Sequence, residues 1–252
     1  MAQGTFLAGS GTLGADGTLC AKPQNPHIYY LITRDTFGIC MVARTTNEKL
    51  ADQLLLLYQI KDASQYFCFL SETKLQKLVF LTEKSMLDKH EKGFNYNYIK
   101  LSFGTYSPEL RTDLNKLVQL GLIGCQWHHP TSLVLSILKD FEDLFKRNYN
   151  FTKKIEEINK TYAGMELNKL LDVVGDMPHP YLKTTKKIRD LKLRTPLLYR
   201  ILQEQAKNSF EITPEEIATL EIYFDPESLE SLVSANESAK KTPLLKFEEV
   251  FG

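Results

Sequence analysis

The sequence lacks net charge and has few cysteines, and both features exclude whole classes of protein. Its 252 residues carry 31 Lys and Arg against 31 Asp and Glu. A chain with this balance is not a polycation of the histone or ribosomal kind, which holds nucleic acid through excess positive charge. With 43% hydrophobic residues, it is not disordered as a whole either. The four cysteines form no CxxC pair, so we predict neither a disulfide framework nor a zinc site, but reduced and mostly buried thiols.

Long apolar runs and targeting signals are also lacking. No segment approaches the roughly 18 apolar residues that a membrane helix needs. The opening MAQGTFLAGSGTLGADGTLCAKPQ has neither the basic nor the apolar region of a secretory signal. We therefore expect a soluble, cytoplasmic protein of one or two domains that does not engage a membrane.

The apolar pattern predicts a mostly α protein with a small β element (α+β). Residues 1–26 are rich in glycine and are expected to form a flexible arm. Residues 27–200 are predicted to form a compact helical core domain, which begins with a hairpin of Ile28–Ile32 and Gly38–Val42. Residues 201–252 are predicted to form an acidic C-terminal extension.

Helix signals recur along the core. One helix should begin at Thr46 and end near Ile60, and a second should be capped by Ser71 or Thr73. Ser107 and the following proline predict a third helix, which Gly121 ends. Shorter helices are predicted over 131–145, 167–176, 213–220 and 227–233, with a strand at EIYF, 221–224.

A two-residue period marks a strand over 94–103. The apolar face switches between Tyr98 and Ile99, which predicts a bulge or a strand buried on both sides. The aromatic Tyr96 and Tyr98 are more typical of core packing than of a surface on which nucleic-acid bases stack.

Catalytic motifs are missing. The glycines near Gly9 belong to no GxxxxGK[ST] loop and follow no strand. His128 and His129 are neighbours that point apart, and a turn ending at Pro130 explains them better than a metal does. Cys68 and Cys125 lie in apolar surroundings, where thiols are unreactive. We therefore predict no catalytic, cofactor-binding or metal-binding residue, and expect a protein that is not an enzyme and needs no cofactor.

Charge is sorted along the chain. Residues 183–200 hold seven cations and one acid, whereas residues 203–252 hold eleven acids and four lysines. The basic segment is either a nucleic-acid contact or a solvated face that the acidic tail complements. The candidate nucleic-acid contacts are Lys183, Lys186, Lys187, Arg189, Lys192 and Arg194.

The segment Thr73–Ile123 resembles a known family. TKLQKLVFLTEK, followed by FNYNYIKLSFGTYSPELRTDLNKLVQLGLI, is similar to the signature of SocA-like and Panacea-type antitoxin domains, which are related to YwgA-like proteins of prokaryotes. MELNKLLDVVGDMPHPY resembles a helix that follows in those proteins. The usual Gly-Pro-Tyr-Ser is Gly104-Thr105-Tyr106-Ser107 here, so the turn keeps its glycine but lacks the proline.

The resemblance implies a compact, mostly helical domain with a small β element. It implies an antitoxin that neutralises a cognate protein toxin by direct binding or, in one branch, hands the toxin to a protease. The terminal KTPLLKFEEVFG resembles antitoxin tails that dock on a partner. As an amphipathic strip it would bind through its apolar residues, or pack on its own domain instead. The predicted partner-binding residues are Leu244, Leu245, Phe247, Val250 and Phe251.

Two further interpretations stay open. The resemblance also suggests a DNA-binding transcriptional regulator with a winged-helix-like element, in which Ser107–Leu120 reads DNA and the basic segment contacts phosphate. That helix would offer Arg111, Asn115, Lys116 and Gln119, with Glu109 and Asp113 interspersed. An enzyme of unrecognised type would require an ordered cleft with convergent polar groups.

Overall fold

The computed structural model describes residues 43–67, 69–126, 128–179, 186–198 and 206–241. The fold is mostly α with a small β element, as the sequence predicts. The α-helices of these residues are α1 Thr46–Ala63, α2 Glu72–Leu87, α3 Pro108–Gln119, α4 Ser132–Asp140, α5 Glu142–Arg147, α6 Tyr149–Tyr162, α7 Leu167–Asp176, α8 Pro214–Tyr223 and α9 Pro226–Lys241. The strands are β1 Glu91–Lys92, β2 Tyr98–Leu101, β3 Gly104–Tyr106, β4 Pro196–Leu198 and β5 Asn208–Ser209.

Helix α1 lies at the centre of the fold. Thr45 caps its N-terminus in a capping box with Glu48, one residue before the predicted start. The four consecutive leucines 54–57 are fully buried, so the helix is covered on all sides rather than along one stripe. Helices α4, α6 and α8 surround it.

Helices α2 and α3 follow their sequence signals closely. The Ser71 side chain caps α2, and the Ser107 side chain caps α3 by accepting from the Leu110 N–H, with Pro108 at the first helical position. Gly121 adopts a φ of 67° immediately after α3, a left-handed conformation that ends helices and favours glycine. Both starts and this stop confirm the predictions.

Two small sheets lie beside α2. Strands β3, β2 and β4 form an antiparallel sheet in that order, and β1 pairs with β5 in parallel. The β2–β4 register shifts between Tyr98 and Ile99, which confirms the predicted bulge. Tyr96 and Tyr98 are fully buried, so these aromatics belong to the core, as predicted.

Two predicted elements differ in the structure. The helix predicted over 131–145 is two helices, which meet at the buried Phe141. Its ring contacts Tyr223 edge-on at 6.3 Å, and the apolar spacing continues through the junction, so periodicity alone misses it. The predicted strand at 221–224 is wrong, because 221–223 are the last turn of α8. Ile217, Leu220 and Phe224 are buried at helical spacing, and this packing overrides the β propensity of the sequence.

The core extends beyond residue 200, the limit predicted for the helical domain. Ile217, Leu220, Phe224 and Leu229 belong to the same buried cluster as the leucines of α1. The predicted glycine-rich arm and the hairpin over 28–42 lie outside the described residues. Among the helices that are described, none combines the length and apolar character needed to cross a membrane.

Candidate functional site

A buried polar cluster joins the start of α1, the N-terminal half of α3 and the segment before β2. Arg44 Nη1 lies 2.7 Å from Asp52 Oδ2 and 2.7 Å from Asp113 Oδ2. The guanidinium carbon lies 4.8 Å from the centre of the Tyr96 ring, within the range of a cation–π contact. These four residues are called the Arg44 cluster below.

Both carboxylates of the Arg44 cluster are surrounded by donors. Asp113 accepts from Tyr96 Oη at 2.9 Å and from Gln53 Nε2 at 3.0 Å. Asp52 accepts from the backbone N–H and side-chain amide of Asn95 at 2.9 and 3.0 Å. Burial raises the pKa of Asp52 to about 7, while Arg44 and Asn95 act in the opposite direction and favour the charged form.

The geometry of the Arg44 cluster fits a structural role. Arg44 is 7% exposed, Asp113 is 3% exposed, and Asp52 and Tyr96 are fully buried. A general acid or base must reach a substrate atom, and these carboxylates instead point at donors of their own chain. The cluster therefore fastens α1 to α3 and to the segment before β2.

Two further buried charges lie on α2, facing the strands. Glu83 Oε2 accepts from the Phe94 N–H at 2.8 Å, and burial raises the pKa of Glu83 to about 8. Lys77 Nζ donates to the Thr105 carbonyl at 2.6 Å, and burial lowers the pKa of Lys77 to about 8. Both groups are fully buried, and both help to attach α2 to the small β element.

The Arg44 cluster was not predicted from the sequence. Asp113 was expected on the exposed side of α3, but it is buried beside Leu110 and Leu114. Two signals were available. Asp113 directly precedes an apolar position of α3, and Asp52 lies two residues before four consecutive leucines, in a stretch where a polar residue is expected to be buried and paired.

The candidate nucleic-acid contacts that the structure describes lie on the surface, and two of them are neutralised within the fold. Lys187 Nζ lies 2.6 Å from Asp176 Oδ1. Arg189 Nη2 lies 2.7 Å from Asp176 Oδ2 and 3.5 Å from Asp172 Oδ1. The acids that complement these two cations therefore belong to α7, and not to the acidic region after Gln203. Lys186, Lys192 and Arg194 are exposed, and Lys183 lies outside the described residues.

The predicted DNA-reading helix α3 makes contacts of its own. Arg111 Nε lies 3.8 Å from Glu72 Oε2, and Lys116 Nζ lies 5.9 Å from the Phe224 ring centre. Asn115 and Gln119 are exposed. Asp113 is buried, and two of the predicted reading residues, Arg111 and Lys116, already have partners elsewhere in the fold.

The five predicted partner-binding residues, Leu244 to Phe251, lie outside the described residues. Helix α9, which precedes them, is described. Its Leu229 is buried, but residues 230–235 are all exposed. Leu232 is 41% exposed and Val233 is 37% exposed. The helix therefore leaves the core after its first turn.

A groove of about 420 Å³ lies between the end of α1 and helices α4, α5 and α6. The Tyr58 and Phe145 rings, 4.6 Å apart, form its floor together with Leu138. Leu135 and Tyr149 stand at its rim with 53% and 58% of their surface exposed. This volume falls in the usual range of binding pockets. It is called the α4–α6 groove below.

The remaining predictions concern cysteine and histidine. Cys125 is exposed, so the apolar surroundings predicted for this thiol are wrong; the other three cysteines lie outside the described residues. Ile123 and Pro130 form an isolated bridge, which pushes the intervening turn outward. His128 Nδ1 lies 3.2 Å from the Gly124 carbonyl inside that turn. Within the described part of the chain, no three His, Cys, Asp or Glu residues are placed to hold a metal ion.

Comparison with known proteins found no relative. No family model matches the chain, and neither a curated protein nor a solved structure matches it.

Proposed function

We propose that this chain is a non-catalytic, protein-binding regulator of the antitoxin type. It neutralises a cognate protein toxin by direct binding, or delivers the toxin to a protease. The observation that carries the proposal is the apolar face that α9 presents to solvent.

That face continues from the core into solvent. Leu232 and Val233 follow the buried Leu229 at spacings of three and four residues, so all three lie on one side of the helix. Ile222, at the end of α8, is 46% exposed and lines the same concave surface as Leu232. When a partner covers exposed apolar area of this kind, the complex is stabilised by about 25 cal/mol for each Å² removed from water.

The flanking charges indicate the partner's chemistry. Glu227 and Glu230 lie on the exposed surface of α9. An amphipathic helix of this kind binds in an apolar groove, and acids at its edge favour a groove with a basic rim. The predicted strip from Leu244 to Phe251 begins three residues after α9 ends, so the two would form one continuous binding element.

The Arg44 cluster supports the non-catalytic part of the proposal. Its two carboxylates would be the obvious pair for acid–base chemistry, but both are buried and occupied by donors of the chain itself. The DNA-binding alternative stays a prediction, since no contact in the described residues favours it.

Co-expression with the toxin gene of the neighbouring locus tests the proposal. The full chain should restore growth and co-purify with the toxin. The double variant Leu232→Asp, Val233→Asp should bind at least about tenfold more weakly, because two apolar contacts are replaced by buried charges. Leu193→Asp is the matched control, because Leu193 is 62% exposed outside α9, and it should bind normally. Equal binding by both variants would refute the role of α9.

A further inference from the structure

The α4–α6 groove has cations at its rim that are not neutralised by the described residues. Lys61 and Lys139 line the groove, and neither forms an ion pair with any residue that the structure describes. Glu142 lies 2.9 Å from Lys146 Nζ, whereas Glu156 accepts from Tyr58 Oη at 2.6 Å and keeps its negative charge. The lining therefore holds Lys61, Lys139 and Lys146 against Glu142 and Glu156, an excess of one positive charge. An apolar floor with a positive excess at its edge suits a segment that combines apolar residues with acids.

This chain carries such a segment outside the described residues. Glu248 and Glu249 are flanked by Phe247 on one side and by Val250 and Phe251 on the other. We propose that the α4–α6 groove binds the chain's own residues 244–251, with Val250 and Phe251 on the apolar floor and the two glutamates facing Lys61 and Lys139.

The segment is long enough to reach the groove. The Tyr223 hydroxyl donates to the Asp140 carboxylate, so the end of α8 lies beside the residue that follows Lys139. Helix α9 starts three residues later and, with 16 residues, is about 24 Å long. The ten residues from Thr242 to Phe251 span up to about 33 Å when extended. The extended segment is therefore longer than the helix that separates it from the end of α8.

Charge distinguishes this occupant from the other end of the chain. Residues 1–42 also lie outside the described part, but they carry two acids, Asp16 and Asp35, against Lys22 and Arg34. They contain no adjacent acids and no net negative charge. The paired glutamates of 244–251 match the two rim lysines better.

Docking of the strip would regulate partner binding. The inference rests on the proposed function only in taking 244–251 as the binding strip, and it makes the groove and the partner compete for that strip. A partner would then have to displace the strip from the groove. The apparent affinity of the partner is the intrinsic affinity multiplied by the fraction of chains whose strip is undocked.

Photo-crosslinking of the full chain tests the inference without any partner. With p-benzoylphenylalanine in place of Phe251, irradiation and mass spectrometry should reveal a link to residues 135–149 of the same chain, with a yield that dilution leaves unchanged. The same group in place of Leu193 should give no such link. Lys61→Glu with Lys139→Glu should lower the yield about fivefold. Adding Glu248→Lys and Glu249→Lys should restore it.

Three results would overturn the inference: links elsewhere on the chain, links that form only between two chains, or no link at all. Occupation of the groove by residues 1–42 would appear as a link from that segment and would count against it equally. Thermal melting of each variant checks that the fold is intact. If the crosslink forms but co-expression with the toxin fails, the proposed function is wrong and the groove inference stands.

Discussion

At the scale of single residues, Arg44 is the side chain on which several elements converge. It holds two aspartates that are 61 residues apart in sequence, each at 2.7 Å. A buried cluster of charges is stable only while every partner is present, because removing one partner leaves the other charged groups buried and unpaired. The donors to Asp113 come from three residues, Arg44, Gln53 and Tyr96, whereas those to Asp52 come from Arg44 and Asn95.

Asp113→Ala should therefore destabilise the fold by about 3 kcal/mol, because three buried donors lose their acceptor. Urea unfolding measures the change. Asp113→Asn should cost less, since its amide oxygen can still accept. Asp143→Ala is the control, because that side chain is 94% exposed, and it should change stability by less than about 0.5 kcal/mol. Similar values for Asp113→Ala and the control would contradict the structural role of the Arg44 cluster.

At the scale of elements, α2 is attached to the β region by buried ionisable groups. Glu83 accepts from the Phe94 N–H through Oε2, while its Oε1 has no partner among the described residues. Burial raises the pKa of Glu83 from 4.5 to about 8. The folded chain therefore binds a proton more tightly than the unfolded chain does, and this stabilisation is fully present below about pH 4.5.

The free energy of unfolding should fall as pH rises from about 5 to 8. The slope attributable to Glu83 is at most about 1.4 kcal/mol per pH unit. Glu83→Gln keeps an acceptor for the Phe94 N–H but no longer titrates, so the free energy of unfolding of this variant should decrease less over the same pH range. The decrease that remains is attributable to Asp52, whose pKa is also raised. Unfolding in urea at a series of pH values measures the difference. Glu157→Gln, on the exposed surface of α6, should retain the wild-type fall, and an unchanged slope in Glu83→Gln would refute the assignment.

Elements with their own start and stop signals were predictable, and those determined by distant packing were not. Ser107, Pro108 and Gly121 define α3 locally, so the sequence alone was sufficient there. Helix α6 was not predicted. It lies against α1 and α2, and its buried Asn159 hydrogen-bonds to Gln59 and Asp62, residues about 100 positions earlier. Within the Arg44 cluster, the contact between Arg44 and Asp113 spans 69 residues, so a local pattern can mark the aspartate as buried but cannot identify its partner.

At the scale of the whole molecule, part of the charge balance is made between segments that meet in space. The basic segment 186–194 lies against α7, where Asp172 and Asp176 pair with two of its cations. Affinity for DNA depends on cations free to displace counterions from phosphate. These ion pairs reduce that number on the face that the DNA-binding alternative would use.

A salt-titrated gel shift should show no stable complex with duplex DNA at about 0.15 M salt. Asp172→Asn with Asp176→Asn frees Lys187 and Arg189, and should increase binding at low salt. A wild-type complex that weakens steeply as salt increases would instead support the DNA-binding alternative. The double variant is also an internal control, because it changes charge without changing side-chain size.

The position of α1 has a consequence for how the protein is made. This helix is buried along most of its length, but α8, one of its partners, follows about 150 residues later in the chain. At about 5–20 residues per second, the ribosome takes roughly 8–30 seconds to synthesise the intervening chain. During that time the leucines of α1 lack part of their cover, so the nascent chain is most vulnerable to aggregation, and most in need of a chaperone, before α8 has been synthesised.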